Sequence, residues 1–436
     1  MKKEKVYAVT ENPRKVERSF LVGVQFPEVD DAHMEEMLDE LEELSTTLGV
    51  AVVGRQSVRL RKPQSRLLTG SGKAREICAH AKECGADVIL FDEQLTPAQQ
   101  RNWERLAGIA VIDRQEVILD IFAQRANTRE AVLQVTLAQA EYELPRLKRR
   151  WTHLSRQRGM KGGLGLRGEG EQQIEVDYRL VQRRIAFLKS QIEGVRKQRQ
   201  VQRSRRLKKP VPTASIIGYT NAGKSSLLNA LTESHVLTED KLFATLDPTV
   251  RRIVLPNRQE LLLTDTVGFI RKLPHLLVEA FKATLEEALV ADFLIEVIDV
   301  SSRQIDEHHR TTRDVLKEIG ADDKFVITVF NKIDCVDDRL TLRRLRRHYP
   351  DAVFMSARTG EGLDSLMQRL ADELDRKLQH LDLVVPHDRY DIVAKLHRTS
   401  HIIEKEHTDS GVTITATVPD NVRGDIEEFV CTGAGQ

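Results

Sequence analysis

Polar and apolar positions change their period several times along this chain. Residues 1–19 are mostly polar and read as a frayed start. From Phe20 short apolar runs alternate with helical periods. FLVGVQF, AVVGRQSVRL, DVILF and IAVID read as strands. HMEEMLDELEELSTTLG and GKAREICAHAKECG read as helices stopped by Gly49 and Gly85, and TPAQQRNWERLAG as a third helix. This alternation predicts a parallel-leaning α/β domain over residues 20–126.

The period then becomes a heptad. Leu133, Leu137, Ala140, Leu144, Leu147, Trp151 and Leu154 form one seam, and Ile174, Tyr178, Val181, Ile185, Leu188, Ile192 and Val195 a second. Two matched seams predict an antiparallel helical hairpin over residues 127–209, with glycine-rich residues 158–171 at its tip. Pro145 lies inside the first helix and is expected to kink or split it, because proline removes a backbone donor and clashes with the preceding turn. A second α/β domain is expected over residues 210–379. A small α+β domain over 380–436 follows, with VVP and DIVAKLH read as strand and VTITATVP as a half-exposed strand.

Composition narrows the class. Apolar residues make up 40% and charged residues 31%, as in ordinary globular protein; aromatics are 5%, so Leu, Ile and Val must fill the cores. There is no apolar run of membrane-spanning length and no signal-peptide core, so a cytoplasmic protein without membrane insertion is expected, as a monomer. Cys78, Cys84, Cys335 and Cys431 form no CxxC pair and read as reduced thiols.

Charge is uneven. Between Pro145 and Lys209 stand 20 Lys and Arg against five Asp and Glu, a net +15; the whole chain carries +1, which leaves −14 elsewhere. A solvated helix face is the plain reading of such a run. Carboxylates for i,i+4 pairing are scarce here, however, so the segment points to a polyanion and, first among polyanions, to RNA.

Four motifs carry chemistry. Gly218-Tyr219-Thr220-Asn221-Ala222-Gly223-Lys224-Ser225 fits GxxxxGK[ST], between a strand pattern and a helix pattern. Loop and helix N–H groups of this kind cradle phosphates, the lysine reaches the β- and γ-phosphates, and the Ser225 hydroxyl is a Mg²⁺ ligand. Asp265-Thr266-Val267-Gly268 ends the strand ELLLT: Asp265 is expected behind Mg²⁺ and the Gly268 N–H at the γ-phosphate. Asn331-Lys332-Ile333-Asp334 follows FVITVF. The Asp334 carboxylate can accept from the N1–H and exocyclic amine of guanine, a donor pair adenine lacks, while Asn331 braces the loop. In Ser356-Ala357-Arg358 the Ala357 N–H is positioned to meet guanine O6. In order, the four motifs predict a GTP site. Between the first two, Thr245 and Thr249 are both chemically able to complete the Mg²⁺ shell.

Phe269 disturbs this picture. In Ras-type GTPases the residue after the glycine is the glutamine that orients the attacking water, and phenylalanine cannot hold a water. Another source of charge or order is therefore needed. Asn221 has two readings: its amide oxygen is a ligand for K⁺ in place of an arginine finger, or it hydrogen-bonds the loop.

GYTNAGKS, FATLD, DTVGFI, NKID and SA resemble the G domain of the HflX GTPases, in the Obg–HflX group. LFDEQLTPAQQRNWE, DRQEVILDIFAQRA, WTHLSRQ and GLGLRGEGE resemble that family's N-terminal and hairpin segments. The resemblance spans roughly residues 20–380. It implies a GTP hydrolase using Mg²⁺ that binds the 50S subunit and its rRNA and splits stalled or stressed ribosomes, with the hairpin directed at ribosomal RNA. It also implies that Phe243-Ala244-Thr245-Leu246-Asp247 surrounds the nucleotide, with Thr245 as the second Mg²⁺ ligand; with no glutamine at 269, the Thr245 backbone carbonyl is then the group expected to orient water. Lys224, Thr245, Gly268 and Asn221 then carry hydrolysis. A GTPase for large-subunit assembly or RNA modification is the alternative use of the same site. Thr69-Gly70-Ser71-Gly72-Lys73 lacks phosphate-loop spacing and reads as a turn rather than a second nucleotide site.

Overall fold

The computed structural model describes residues 16–150, 169–206, 211–232, 242–243, 245–272, 287–336, 338–376, 378–399, 401–408, 411–419 and 426–430. Contacts divide the chain into two units. The first holds residues up to Gly194 with Glu239–Asp247 and Ile270–Ala283; the second holds Val195–Thr238, Pro248–Phe269 and Thr284–Gln436.

In the first unit the strands are β1 (Arg18–Gln25), β2 (Ala51–Arg59), β3 (Val88–Phe91) and β4 (Ala110–Asp113). The helices are α1 (Asp31–Leu48), α2 (Ser71–Glu83), α3 (Pro97–Ala107), α4 (Arg114–Arg125), α5 (Arg129–Arg150) and the part of α6 (Glu169–Arg206) up to Gly194. The sheet order is β2-β1-β3-β4 and every pairing is parallel, as the alternation predicts. Period-two patterning sends Phe20, Val22 and Val24 into one core with Ile77, Phe91 and Trp103. Gly23 faces α1, where a Cβ would lie 2.5 Å from Met34 Cε, so glycine lets that helix close on the sheet. The helix stops are local. Asp30 caps α1 by accepting from the His33 N–H, and Gly49 ends it at φ 87°. The TGSGK stretch is the lead-in to α2: Gly70 is its N-cap, and Lys73 is paired with Glu76 at 2.6 Å.

α5 differs from expectation in two ways. It runs unbroken through Pro145. The turn around the proline is clamped by Arg146, which stacks on the Tyr142 ring, donates to Tyr142 O at 3.0 Å and Leu95 O at 3.1 Å, and pairs with Asp113 at 3.4 Å. Its burial also does not follow the heptad seam alone: Val135, Ala138 and Tyr142 are buried beside the seam residue Ala140, on a helix that packs on α3 and α4, whereas the seam residues Leu133, Leu137 and Leu144 are half-buried. The expected tip, residues 158–171, lies almost wholly outside the described residues, as do Trp151 and Leu154.

The second unit carries β5 (Thr213–Gly218), α7 (Lys224–Thr232), β6 (Thr249–Val254), β7 (Glu260–Asp265), β8 (Phe293–Asp299), α8 (Ile305–Ile319), β9 (Val326–Asn331), α9 (Arg339–His348), β10 (Val353–Phe354) and α10 (Leu363–Arg376). The sheet order is β10-β9-β8-β5-β7-β6, parallel except for β6. β5 pairs with β7 on one side and β8 on the other, so the loop after β5 opens at the point where the strand order reverses, the usual ligand crevice of such sheets.

The chain then forms β11 (Leu378–Val385), α11 (Tyr390–Thr399), β12 (His401–Thr408) and β13 (Gly411–Pro419), an antiparallel sheet in the order β11-β13-β12. DIVAKLH is therefore helical and not strand. Ile392, Val393 and Leu396 are its buried residues, at helical spacing, packed with Leu383, Ile414 and Ala416. Among the described residues no helix is long and apolar enough to cross a membrane.

Candidate nucleotide site

The phosphate loop leaves β5 at Gly218 and enters α7 at Lys224. Two glycines are dictated by backbone. Gly218 has φ 141° and a Cβ there would lie 2.2 Å from Val297 O; Gly223 has φ 91° and a Cβ would lie 2.2 Å from Asn331 Nδ2. Asn221 sits at φ 58°, a left-handed conformation that asparagine tolerates better than most residues. Its side chain is exposed and makes no hydrogen bond among the described residues.

Lys224 is buried and donates to Tyr219 O at 2.6 Å. Burial pulls its ammonium down to about 8, against the raising influence of Asp265. Ser225 Oγ donates to Asp265 Oδ2 at 2.7 Å, so the hydroxyl and carboxylate expected around Mg²⁺ stand together, with Asp265 fully buried at the end of β7. Thr220 Oγ1 is buried and has no hydrogen-bond partner among the described residues. A hydroxyl beside a carboxylate at a helix N-terminus, next to an unpartnered buried hydroxyl in a glycine loop, fits a magnesium-bound phosphate.

DTVGF lies directly on this loop. Phe269 N donates to Gly218 O at 3.0 Å, and Thr220 N donates to Phe269 O at 2.7 Å, an isolated parallel bridge between Tyr219 and Phe269. The Phe269 side chain is 1% exposed, a core residue rather than one reaching toward a phosphate. A Cβ at Gly268 would lie 2.8 Å from Lys224 Nζ and from Thr220 Cα, so only glycine fits there. Thr266 is spent on structure: its hydroxyl donates to Ile216 O at 2.7 Å. Val267 and Ile333 are buried apolar side chains, and Tyr219 stacks on His308 with ring centroids 3.8 Å apart.

The guanine side is tied to the phosphate side by one residue. Asn331, 2% exposed, donates to Ala222 O at 2.9 Å and accepts from Ala357 N at 2.9 Å. It therefore staples NKID to both the phosphate loop and SAR. The Ala357 N–H expected at guanine O6 is committed to Asn331, so guanine must share or displace that bond. The hydrogen bond from Ser356 holds the Asp334 carboxyl below the usual range, and Arg358, which is ion-paired with Asp334, adds to this. Lys332 pairs with Asp299 at 2.7 Å.

The FATLD segment belongs to the first unit. Phe243 and Leu246, expected around the nucleotide, have buried side chains, and the Phe243 ring meets Phe122 at 4.5 Å. Asp247 accepts from Thr128 Oγ1 at 2.5 Å, Thr128 N at 3.1 Å and Asn127 N at 3.3 Å. Thr245 is half-buried in the same unit, and Ala244 lies outside the described residues. Lys272 in that unit pairs with Asp92 at 2.8 Å and Glu93 at 2.6 Å. These apolar and acidic anchors were not legible in the motif, because a short switch sequence carries no periodicity that reveals its packing partner.

Four family models match the chain in order: a GTP-binding GTPase N-terminal region over residues 35–123, its middle region over 125–206, a 50S ribosome-binding GTPase over 213–332 and an HflX C-terminal domain over 342–433. The chain is 46% identical over 434 residues to the GTPase HflX of Akkermansia muciniphila, covering 98% of this chain and 99% of that one. It is 44% identical over 406 residues to the GTPase HflX of Escherichia coli, covering 92% and 94%. Among solved structures it resembles a GTP-binding protein from Sulfolobus solfataricus in complex with GDP, at 25% identity and a TM-score of 0.43, covering 82% of this chain and 98% of that one.

Proposed function

The chain belongs to the HflX family of GTPases, and from that premise we propose that it binds the large ribosomal subunit and splits stalled or stressed 70S ribosomes in its GTP-bound form. The observation that carries this reading is the presence, in one chain, of an assembled phosphate-and-guanine site and a segment of net +15. The basic segment supplies phosphate contacts to rRNA through counterion release. The nucleotide site supplies the switch.

Within the site, Lys224 and the loop amides hold the phosphates. Ser225, with Thr245 as its family counterpart, would hold Mg²⁺, and Asp265 keeps the Ser225 hydroxyl in place for it. When bound, the ion would supply charge neutralisation at the phosphates. Asp334 selects guanine, with Asn331 keeping both loops in register. Gly268 offers its N–H to the γ-phosphate. The buried Phe269 positions no water, so the Thr245 carbonyl would orient the attacking water, and the Asn221 amide oxygen would hold K⁺ where an arginine finger is lacking. Hydrolysis is slow until the ribosome stimulates it.

Co-sedimentation of the full chain with 50S and with 70S particles, in GDP, GTP and a non-hydrolysable analogue, tests this. Binding to mature 50S in the triphosphate state is expected. Binding to 50S precursors alone, or no binding in any nucleotide, would overturn it.

A further inference from the structure

α9 begins five residues after Asp334 in the second unit, and its sequence is RLTLRRLRRH. Its apolar positions fix how it sits. Leu342, Leu345 and Tyr349 pack with Phe330 and Ile333 on the sheet. At 100° per residue, Arg343, Arg344 and Arg347 then fall on the opposite side, with Arg346 flanking the apolar stripe, and all four are exposed.

Helices place cations in their last turn to offset the dipole, and one or two satisfy that need. Here like charges recur at i,i+3 and i,i+4 with no acidic residue between them, an arrangement that works against the helix. The surroundings offset little of this. Among the described residues none of these arginines has a carboxylate within ion-pair distance. Asp338, the N-cap, faces Arg344, and Arg346 lies over the Phe354 ring at 5.3 Å. The remaining cations are held out to solvent on a helix seated on the sheet by its partly buried Leu342 and Leu345.

We propose that α9 is a second phosphate-binding surface of this protein, docking on the backbone of an RNA strand independently of the basic segment between Pro145 and Lys209. The proposal rests on the ribosomal reading above and adds the face of the second unit that meets the RNA. Guanidinium groups fork onto phosphate oxygens and stay charged at every accessible pH. Arg343 and Arg347 are about 6 Å apart along the helix axis, which suits neighbouring phosphates of one strand better than the sparser carboxylates of a folded acidic protein. Apart from His348, whose ring meets Tyr349 edge-on, the helix exposes no aromatic ring for base stacking, so the arginine face contacts backbone and is indifferent to sequence.

The test uses the full chain and two probes: intact 50S subunits and protein-free large-subunit RNA, titrated from low to high KCl. The Arg343→Ala/Arg347→Ala variant is expected to bind both probes roughly tenfold or more weakly, with the slope of log K against log[KCl] shallower by about 1.4–1.8. Its GDP affinity stays within about twofold, which shows that the site is folded. Arg343→Lys/Arg347→Lys keeps the wild-type slope, because the charge remains. Wild-type affinity and slope in the alanine variant overturn the proposal. So does a loss on 50S with an unchanged slope on bare RNA, which assigns the face to a ribosomal protein. A wild-type chain that binds neither probe overturns the ribosomal reading itself, and with it this one.

Discussion

Asn331→Ala is the sharpest perturbation of the nucleotide site. The side chain is 2% exposed and makes two hydrogen bonds of 2.9 Å, one to the phosphate loop and one to SAR. Truncation leaves Ala222 O and Ala357 N without that partner. An orphaned buried backbone group costs about 1–3 kcal/mol. Ala222 is 1% exposed and takes the upper part of that range, whereas Ala357 is half-buried and takes the lower part. The combined cost is about 3–5 kcal/mol, equivalent to roughly 150- to 5,000-fold in affinity. Fluorescent GDP and GTP titrations should show that loss for both nucleotides alike, because the staple acts on loops that serve both. Gly223→Ala approaches the same contact from the other side, since its Cβ would lie 2.2 Å from Asn331 Nδ2, and should lose affinity similarly. An Asn331→Ala protein that binds GDP within about threefold of wild type would refute the claim that this residue holds the two halves of the site together.

Three further outcomes follow from individual groups. Phe269→Gln should leave the basal GTPase rate unchanged and lower stability by about 3 kcal/mol or more, because it removes a buried ring and buries an amide at a position 1% exposed; a faster rate at unchanged melting temperature would contradict this. Asn221→Ala should abolish any stimulation of hydrolysis by K⁺ over Na⁺ while leaving GDP affinity in place, and equal wild-type rates in both salts would remove the K⁺ site. The Glu116 carboxyl is pushed up to about 7, by burial first and then by Asp113 and Asp120. A carboxyl raised in the folded state binds its proton more tightly there, so its contribution worsens as pH rises from about 4.5 to 7. Glu116→Gln should therefore be more stable than wild type at pH 8, by up to about 3 kcal/mol, and equal to it near pH 4.5. A pH-independent difference in chemical denaturation would show that the carboxyl is not buried as described.

The sequence carried the fold where hydrophobic period and chain punctuation agreed. Gly49 stops α1 as read, and the β–α alternation from Phe20 gives the all-parallel sheet β2-β1-β3-β4. It misled where two periods coincide: DIVAKLH is too short to separate strand from helix, and the antiparallel partners that decide the matter lie beyond it in β12 and β13. Pro145 misled because its expected cost is offset by contacts of Arg146 with residues up to 51 positions away. At the site the motifs placed Ser225 beside Asp265 and Asn331 against the loop. They gave no sign that Phe269 bridges the phosphate loop through its backbone, because the identity of a residue that is absent from a mechanism says nothing of where its side chain goes. The arginines of α9 stood in plain view but were overshadowed by the larger basic segment, and only the packing of Leu342, Leu345 and Tyr349 shows that they share an exposed face.

The central claim is that this GTPase parts ribosomal subunits when bound to GTP. Light scattering of purified 70S ribosomes mixed with the full chain measures it directly. The account predicts a fall in scattering with GTP or its non-hydrolysable analogue, none with GDP, and no fall with the Asn331→Ala variant at nucleotide concentrations that saturate wild type. Unchanged scattering with the wild-type chain saturated by the analogue, while it still sediments with 50S, would contradict it.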